Sequence, residues 1–194
     1  MMKTKNIEIE IKVKVQNIKP LIRFLNKNAR FNNRVHQVDD YFVPSYRNFL
    51  KWRPVKEWFR LRNENGVYTL NYKNYHFDSQ GKSHHCDEFE TSIENLDQTR
   101  RILKVLNFNL IVKVDKVRKV WTYKDYEIAI DSVKKLGKFI EIEYRGKSKN
   151  LKPSEITGQM IKFLKDLGCG LLKRSYQGYP FLLLFPKEAQ YEEI

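Results

Sequence analysis

Ile7-Glu8-Ile9-Glu10-Ile11-Lys12-Val13-Lys14-Val15 alternates without a break, β-branched apolar residues at the odd positions and charges at the even ones. A period of two means an extended strand with one dry face and one charged face. Working outward, the same polarity recurs along the chain. Arg60 and Arg62 share a face opposite Phe59 and Leu61, and Lys73 lies in phase with Thr69 and Asn71, opposite Leu70 and Tyr72. Glu88 and Glu90 flank Phe89, and Lys116 and Arg118 flank Val117. Asp131 lies opposite Ile128 and Ile130, and Glu141 and Glu143 lie opposite Ile140 and Ile142.

Between and beyond these blocks the pattern predicts short strands at Val38–Val43, His85–Thr91, Leu110–Tyr123, Tyr126–Asp131 and Phe139–Tyr144. Glu57–Arg62 and Val67–Tyr75 read as a hairpin turned by Asn63-Glu64-Asn65-Gly66, and Asp78-Ser79-Gln80-Gly81-Lys82 reads as a further turn. Three amphipathic helices are expected. The first carries Ile18, Leu21, Ile22 and Leu25. The second is capped by Asp97 and carries Ile102, Val105 and Leu106. The third starts near Pro153-Ser154, carries Ile156, Met160, Phe163, Leu164 and Leu167, and stops at Gly168. Arg174 to Phe185 reads as extended. The sum is about eight strands with three helices outside them, in one domain spanning 1–194 with a core from about 7 to 176 and an extended tail over 177–194.

The 194 residues are 41% hydrophobic, which can fill a core, and carry a net charge of +14, which favours polyanionic partners such as nucleic acid or phosphorylated small molecules. No apolar run approaches the roughly 18 residues of a membrane span; the longest, Phe181 to Phe185, lies between Pro180 and Pro186. Met1 to Asn6 lead directly into alternating charge with no secretory apolar region, and Cys86 and Cys169 make neither a disulfide framework nor a zinc spacing. A cytoplasmic protein with no membrane partner is the expectation.

Two architectures suit strands of this polarity. One is a sheet with a solvated side, the ordinary antiparallel case. The other is an antiparallel eight-stranded barrel turned polar side in, with its apolar faces covered by helices and a lumen wide enough for one small ligand. The charged faces are short of the Ser, Thr and Gln that dilute solvated strands, and their acids cluster as E-x-E pairs. Carboxylates at i and i+2 lie roughly 7 Å apart on one side of a strand and suit a hard divalent cation with oxygen ligands. The Lys and Arg residues suit a triphosphate through charge-assisted, bidentate bonds. Acids for metal and bases for phosphate in one cavity is the logic of phosphoryl transfer.

Glu8-x-Glu10-x-Lys12 resembles the N-terminal signature of the CYTH superfamily, the triphosphate tunnel metalloenzymes. Asp131-Ser-Val-Lys-Lys-Leu136-Gly137-Lys-Phe139-Ile-Glu141-Ile-Glu143 resembles the late motif of that family, an acid ahead of a Leu-Gly turn and an E-x-E strand. Phe59-Arg60-Leu61-Arg62, Tyr72-Lys73 and Lys116-x-Arg118 followed by Trp121 stand in the expected order between them. The nearest branch by this resemblance is the class IV adenylate cyclase-like group, with thiamine triphosphatases and tripolyphosphatases as cousins. The resemblance implies an α+β fold around a barrel-shaped tunnel and Mg²⁺ or Mn²⁺ as cofactor. Its metal ligands would be Glu10, Asp131 and Glu141, assisted by Glu8 and Glu143. Its triphosphate-binding residues would be Lys12, Arg60, Arg62, Lys73, Lys116 and Arg118, and its catalytic group Glu10, Lys12, Asp131 and Glu141. The implied substrate is ATP, or another triphosphate in a hydrolase. Dimers are common among the cyclase-like relatives, but the sequence carries no diagnostic interface and leaves a homodimer open. In place of an Arg that members often carry ahead of Glu88-x-Glu90, this chain has His85-Cys86-Asp87.

Other features rank lower. Tyr46-Arg47-Asn48-Phe49-Leu50-Lys51-Trp52-Arg53 interleaves aromatics with cations, a composition suited to single-stranded nucleic acid, although packing over the barrel mouth is the favoured reading. A non-catalytic polyanion binder is the second functional class. His76, His84 and His85 read as surface residues, and Leu182 to Phe185 as a packed terminal strand.

Overall fold

The computed structural model describes residues 9–77, 83–146 and 152–194. Ile7, Glu8, the turn predicted at Asp78–Lys82 and residues 147–151 lie outside them. Among the described residues there are ten strands and four α-helices: β1 (Glu10–Val15), α1 (Lys19–Asn28), β2 (Arg30–Pro44), β3 (Glu57–Glu64), β4 (Val67–Phe77), β5 (Ser83–Ile93), α2 (Leu96–Val105), β6 (Phe108–Tyr123), β7 (Tyr126–Val133), β8 (Gly137–Tyr144), α3 (Pro153–Asp166), β9 (Leu172–Arg174), α4 (Tyr179–Leu184) and β10 (Glu192–Glu193). The hydrogen-bonded strand order is β10-β9-β1-β8-β7-β6-β2-β3-β4-β5. Every ladder with a described register is antiparallel. The α+β, antiparallel class expected from the sequence is present. Closure is not: among the described residues no ladder joins β5 to β10, so the sheet has two ends where an eight-stranded barrel has none.

The chain divides into two compact units. One holds the residues up to Val35, Val117–Gly178 and Lys187–Ile194; the other holds His36–Lys116 and Tyr179–Pro186. In the first, the odd positions of β1 and the even ones of β7 and β8 build the core. Ile11, Val13, Ile128, Ile130, Ile140 and Ile142 pack against Leu21 and Leu25 of α1 and Ile156, Met160 and Leu164 of α3. This is the predicted arrangement of apolar strand faces under helices, and it leaves Glu10, Lys12, Asp131, Glu141 and Glu143 on the other face. The β3–β4 hairpin is tighter than predicted. Its strands run to Glu64 and Val67, and Asn65 and Gly66 take φ of 49° and 89°, the paired positive values of a two-residue hairpin turn.

In the second unit, α2 turns a face that an apolar-only reading misses. Leu103 is buried and Leu96 packs beside Phe42 and Leu61, whereas Ile102, Val105 and Leu106 are exposed. The inward residues Leu96, Arg100 and Leu103 do keep helical spacing, but the middle one is a cation. Arg100 donates to Oδ2 of Asp40 through Nε at 2.9 Å and Nη2 at 2.6 Å, and Lys113 Nζ lies 2.9 Å from Oδ1. Asp40 is buried on the apolar face of β2, so this network ties the helix to the sheet. The N-cap is Asn95, whose side chain accepts from the Gln98 amide at 2.9 Å; Asp97 falls in the first turn.

The tail differs from the extended reading as well. Tyr179–Leu184 is the helix α4, with Tyr179, Pro180, Phe181 and Leu182 buried. A short, continuously apolar run carries no period, so sequence alone does not separate strand from helix there. Leu164→Ala, at a fully buried position under the first unit's sheet, is expected to cost about 2–5 kcal/mol. Val105→Ser on exposed α2 should stay within about 0.5 kcal/mol. Urea denaturation of both variants checks the assignment of faces.

Candidate functional site

The charged faces are built strand by strand, and the ladders decide which charges meet. In the first unit, β1 and β8 pair so that Lys12 stands across from Glu141 and Glu10 across from Glu143. On the far side of β8, Ala129 is the partner of Glu141. Arg118 of β6 is bound there. Its Nε and Nη2 donate to the two oxygens of Asp131 at 2.7 and 2.6 Å, and Nη2 also donates to Glu141 Oε2. Asp131 has no exposed surface, so the bidentate guanidinium supplies the solvation that water does not. Burial lowers the pKa of Lys12, against the opposing pull of Glu141, Glu10 and Asp131. Glu143 is bonded by Arg145 Nη2 at 2.8 Å.

In the second unit, β2 pairs with β3 so that Asp39 faces Arg62 and Tyr41 faces Arg60. Arg62 donates to both Asp39 oxygens, at 2.6 and 2.7 Å. Arg60 Nη1 lies 3.7 Å from the same carboxylate and 3.4 Å from the Tyr41 hydroxyl oxygen. Burial alone would raise the pKa of Asp39, but Arg62, Arg60 and Lys116 together hold it below the usual carboxylate value. Lys116 is itself buried, with Nζ 5.0 Å from the ring centre of Tyr179 on α4. Further along this sheet, Asn71 donates to Glu88 at 2.7 Å and Glu90 at 3.1 Å, and Lys73 Nζ lies 3.1 Å from Glu88. Burial would raise the pKa of Glu88, yet Asn71 and Lys73 bring it below the ordinary value.

The predicted residues thus fall into two assemblies. Glu10, Lys12, Arg118, Asp131 and Glu141 are electrostatic neighbours in the first unit. Arg60, Arg62 and Lys116 surround Asp39 in the second, with Lys73 on Glu88. Glu8 lies outside the described residues. The sequence reading missed Asp39, Tyr41, Asn71 and Tyr179. Two adjacent acids inside the apolar run Val38–Val43 were the available signal, since one of them must point into each face of a strand.

Among the described residues no three His, Cys, Asp or Glu side chains converge as an ion centre, and Asp131 and Glu141 share the Arg118 guanidinium. Glu10, Glu141 and Glu143 nonetheless present carboxylates from the paired strands β1 and β8. An all-oxygen set of this kind fits the chemistry of a hard divalent ion.

A family model described as CYTH domain matches residues 6–175, and the chain belongs to that family. It is 32% identical over 174 residues, 88% of its length and 96% of the relative's, to a Methanocaldococcus jannaschii protein named "Putative adenylate cyclase MJ0240". The structure of PH1819 protein from Pyrococcus horikoshii is similar at 30% identity and a TM-score of 0.70, covering 92% of this chain and 99% of that one. A "putative adenylyl cyclase" of Hippeastrum, described as having a dominant triphosphatase activity, shares the fold at 20% identity and a TM-score of 0.65, over 94% of this chain and 96% of its own. No described helix is long and apolar enough to cross a membrane.

Asp39 carries a pH signature. A carboxylate held below its unfolded pKa of about 3.9 contributes stability that is complete above that value and is lost as the pH falls through the folded one. Asp39→Asn is therefore expected to cost about 2–4 kcal/mol at pH 7, with the difference from wild type constant above about pH 4 and shrinking below it. Denaturant titrations across that range measure it.

Proposed function

We propose that this chain is a divalent-metal-dependent enzyme acting on the triphosphate of a nucleotide, and that its reaction is the conversion of ATP to cyclic AMP and pyrophosphate. The observation that carries the proposal is the pairing of arginines with buried carboxylates, Arg118 on Asp131 and Arg62 on Asp39. These forks are pre-oriented, and a phosphate accepts the same two-pronged bond that a carboxylate does. The family match and the name of the Methanocaldococcus relative support the reaction class.

In this reading the cations that bind triphosphate oxygens are Lys12, Arg60, Arg62, Lys73, Lys116 and Arg118, the set that the family resemblance implies. Glu10, Asp131, Glu141 and Glu143, with Glu8, would hold Mg²⁺ or Mn²⁺. The ion, when bound, supplies Lewis-acid neutralisation of phosphate charge. The ribose 3′-oxygen forms its bond to the α-phosphorus as the bond to the bridging oxygen breaks, and pyrophosphate leaves. A carboxylate of the Glu10 and Glu141 set takes the 3′ proton, and Lys12 and Arg118 stabilise charge on the departing group.

The second reading is a triphosphatase, in which water attacks the terminal phosphorus and phosphate leaves. The described activity of the Hippeastrum neighbour favours it. Both chemistries use the same cation array, so products decide. Incubation with ATP and Mn²⁺ is expected to yield cyclic AMP with pyrophosphate, while ADP with phosphate would establish the hydrolase. Glu10→Gln and Glu141→Gln should each lower kcat/KM at least about 100-fold with the circular-dichroism spectrum unchanged. Full metal-dependent turnover in either variant would refute the assignment of these acids.

A further inference from the structure

The segment 45–56, between β2 and β3, packs on the face of the second unit that carries no candidate site residue. β3 and β4 pair Phe59 with Tyr72, and the pleat sets these two on the opposite face of their strands from Arg60 and Lys73. Phe49 packs with its ring centre 6.3 Å from that of Tyr72. Tyr46 stands edge-on to Phe108, whose ring centre is 5.3 Å from that of Phe59. The segment therefore covers the back of the β3–β4 hairpin and not the mouth of a barrel, where its composition had placed it.

Turns and buried anchors hold it there. The amides of Arg47 and Lys51 donate to the carbonyls of Pro44 and Asn48, both at 3.3 Å, and Phe49 and Val55 are buried. Arg53 Nη1 donates to the Leu50 carbonyl at 2.8 Å, and the guanidinium lies 3.9 Å from the ring centre of Phe185. This anchoring leaves other rings outside. Tyr46 is 75% exposed, Trp52 61% and Phe89 67%. Phe89 stacks on Tyr72 with centres 6.4 Å apart and planes at 18°, so it carries the row Phe49–Tyr72 across to β5. Arg47, Lys51, Arg53 and Lys56 are exposed among these rings, and Lys51 Nζ lies 4.9 Å from the centre of Trp52. The nearest acid in sequence, Glu57, is bonded by Arg47 and accepts from the Tyr72 hydroxyl at 2.6 Å.

We propose that this back surface binds single-stranded nucleic acid, with bases on the exposed rings and phosphates on the cations, apart from the candidate enzymatic site. A base stacked on an aromatic ring gains about 1–3 kcal/mol whatever its identity. Only unpaired bases offer that face, so duplexes are excluded from the rings. The four cations are spread along the segment, which suits the repeating charge of a strand. A membrane surface would call for protruding aliphatic groups, yet here Val55 is buried and Leu50 half-buried.

The probe is a fluorescein-labelled oligo(dT) of about 12 nucleotides, titrated into the full chain by anisotropy, with amide chemical shifts to locate it. Saturable binding is expected that weakens with salt and shifts residues 46–53 and Phe89. A duplex of equal length should bind about tenfold more weakly. Trp52→Ala should weaken oligo(dT) binding about fivefold or more. Lys51→Gln with Lys56→Gln should lower the slope of log affinity against log salt by about 1. The exposed sites of both variants predict melting temperatures within a few degrees of wild type. Absence of saturable binding would overturn the proposal, as would affinity indifferent to both variants. Displacement of the oligonucleotide by equimolar tripolyphosphate would overturn it too, since the strand would then occupy the cations of the candidate site. Trp52-dependent binding to phosphatidylserine vesicles without binding to oligo(dT) would assign the surface to lipid instead. None of these readouts depends on turnover, so a failure here leaves the proposed reaction standing.

Discussion

A carboxylate taken out of water needs cations or donors in place of that water, and this constraint organises the polar side of the protein. Asp131 meets it through Arg118, Asp39 through Arg62 and Arg60, and Asp40 through Arg100 and Lys113. The forks of Arg118 on Asp131 and Arg62 on Asp39 are strongly directional, so they fix strand register as well as charge. Sliding β3 by one residue against β2 would turn Arg62 away from Asp39 and put Leu61 among charges. The same pairs that would serve a triphosphate therefore also specify the fold.

The three buried aspartates serve different ends. Asp39 and Asp131 sit on charged faces, beside further cations and acids, and each is held by an arginine fork. Asp40 sits on the opposite face of β2, beneath α2, and its partners tie a helix down. Two neighbouring residues of one strand thus divide between a candidate site and a structural clasp, for no reason other than the alternation of the pleat.

Much of this was legible in the residues. The unbroken alternation of Ile9 to Val15, and the matching blocks at Arg60, Glu88, Arg118 and Glu141, gave the strands and their polarity, because a period of two survives any tertiary context that keeps one face dry. The stripes of α1 and α3 gave helices of the right face for the same reason. The stripe of α2 misled, because its inward face includes Arg100, and a hydrophobic period cannot register a cation that is buried by pairing. The helix α4 was illegible, since an apolar run too short for a period fits either conformation.

By itself the sequence determined the antiparallel α+β class, the segregation of charge from grease on the strands, and the set of acids and bases available for chemistry, since all of these follow from local periodicity and residue type. Only the tertiary structure decided which acid holds which base, that Asp39 and Tyr179 join the cations of the second unit, and that the described strands form a sheet with two ends. Those outcomes depend on register between strands distant in sequence and on the burial of individual side chains, and neither is encoded in the spacing of residues along one strand.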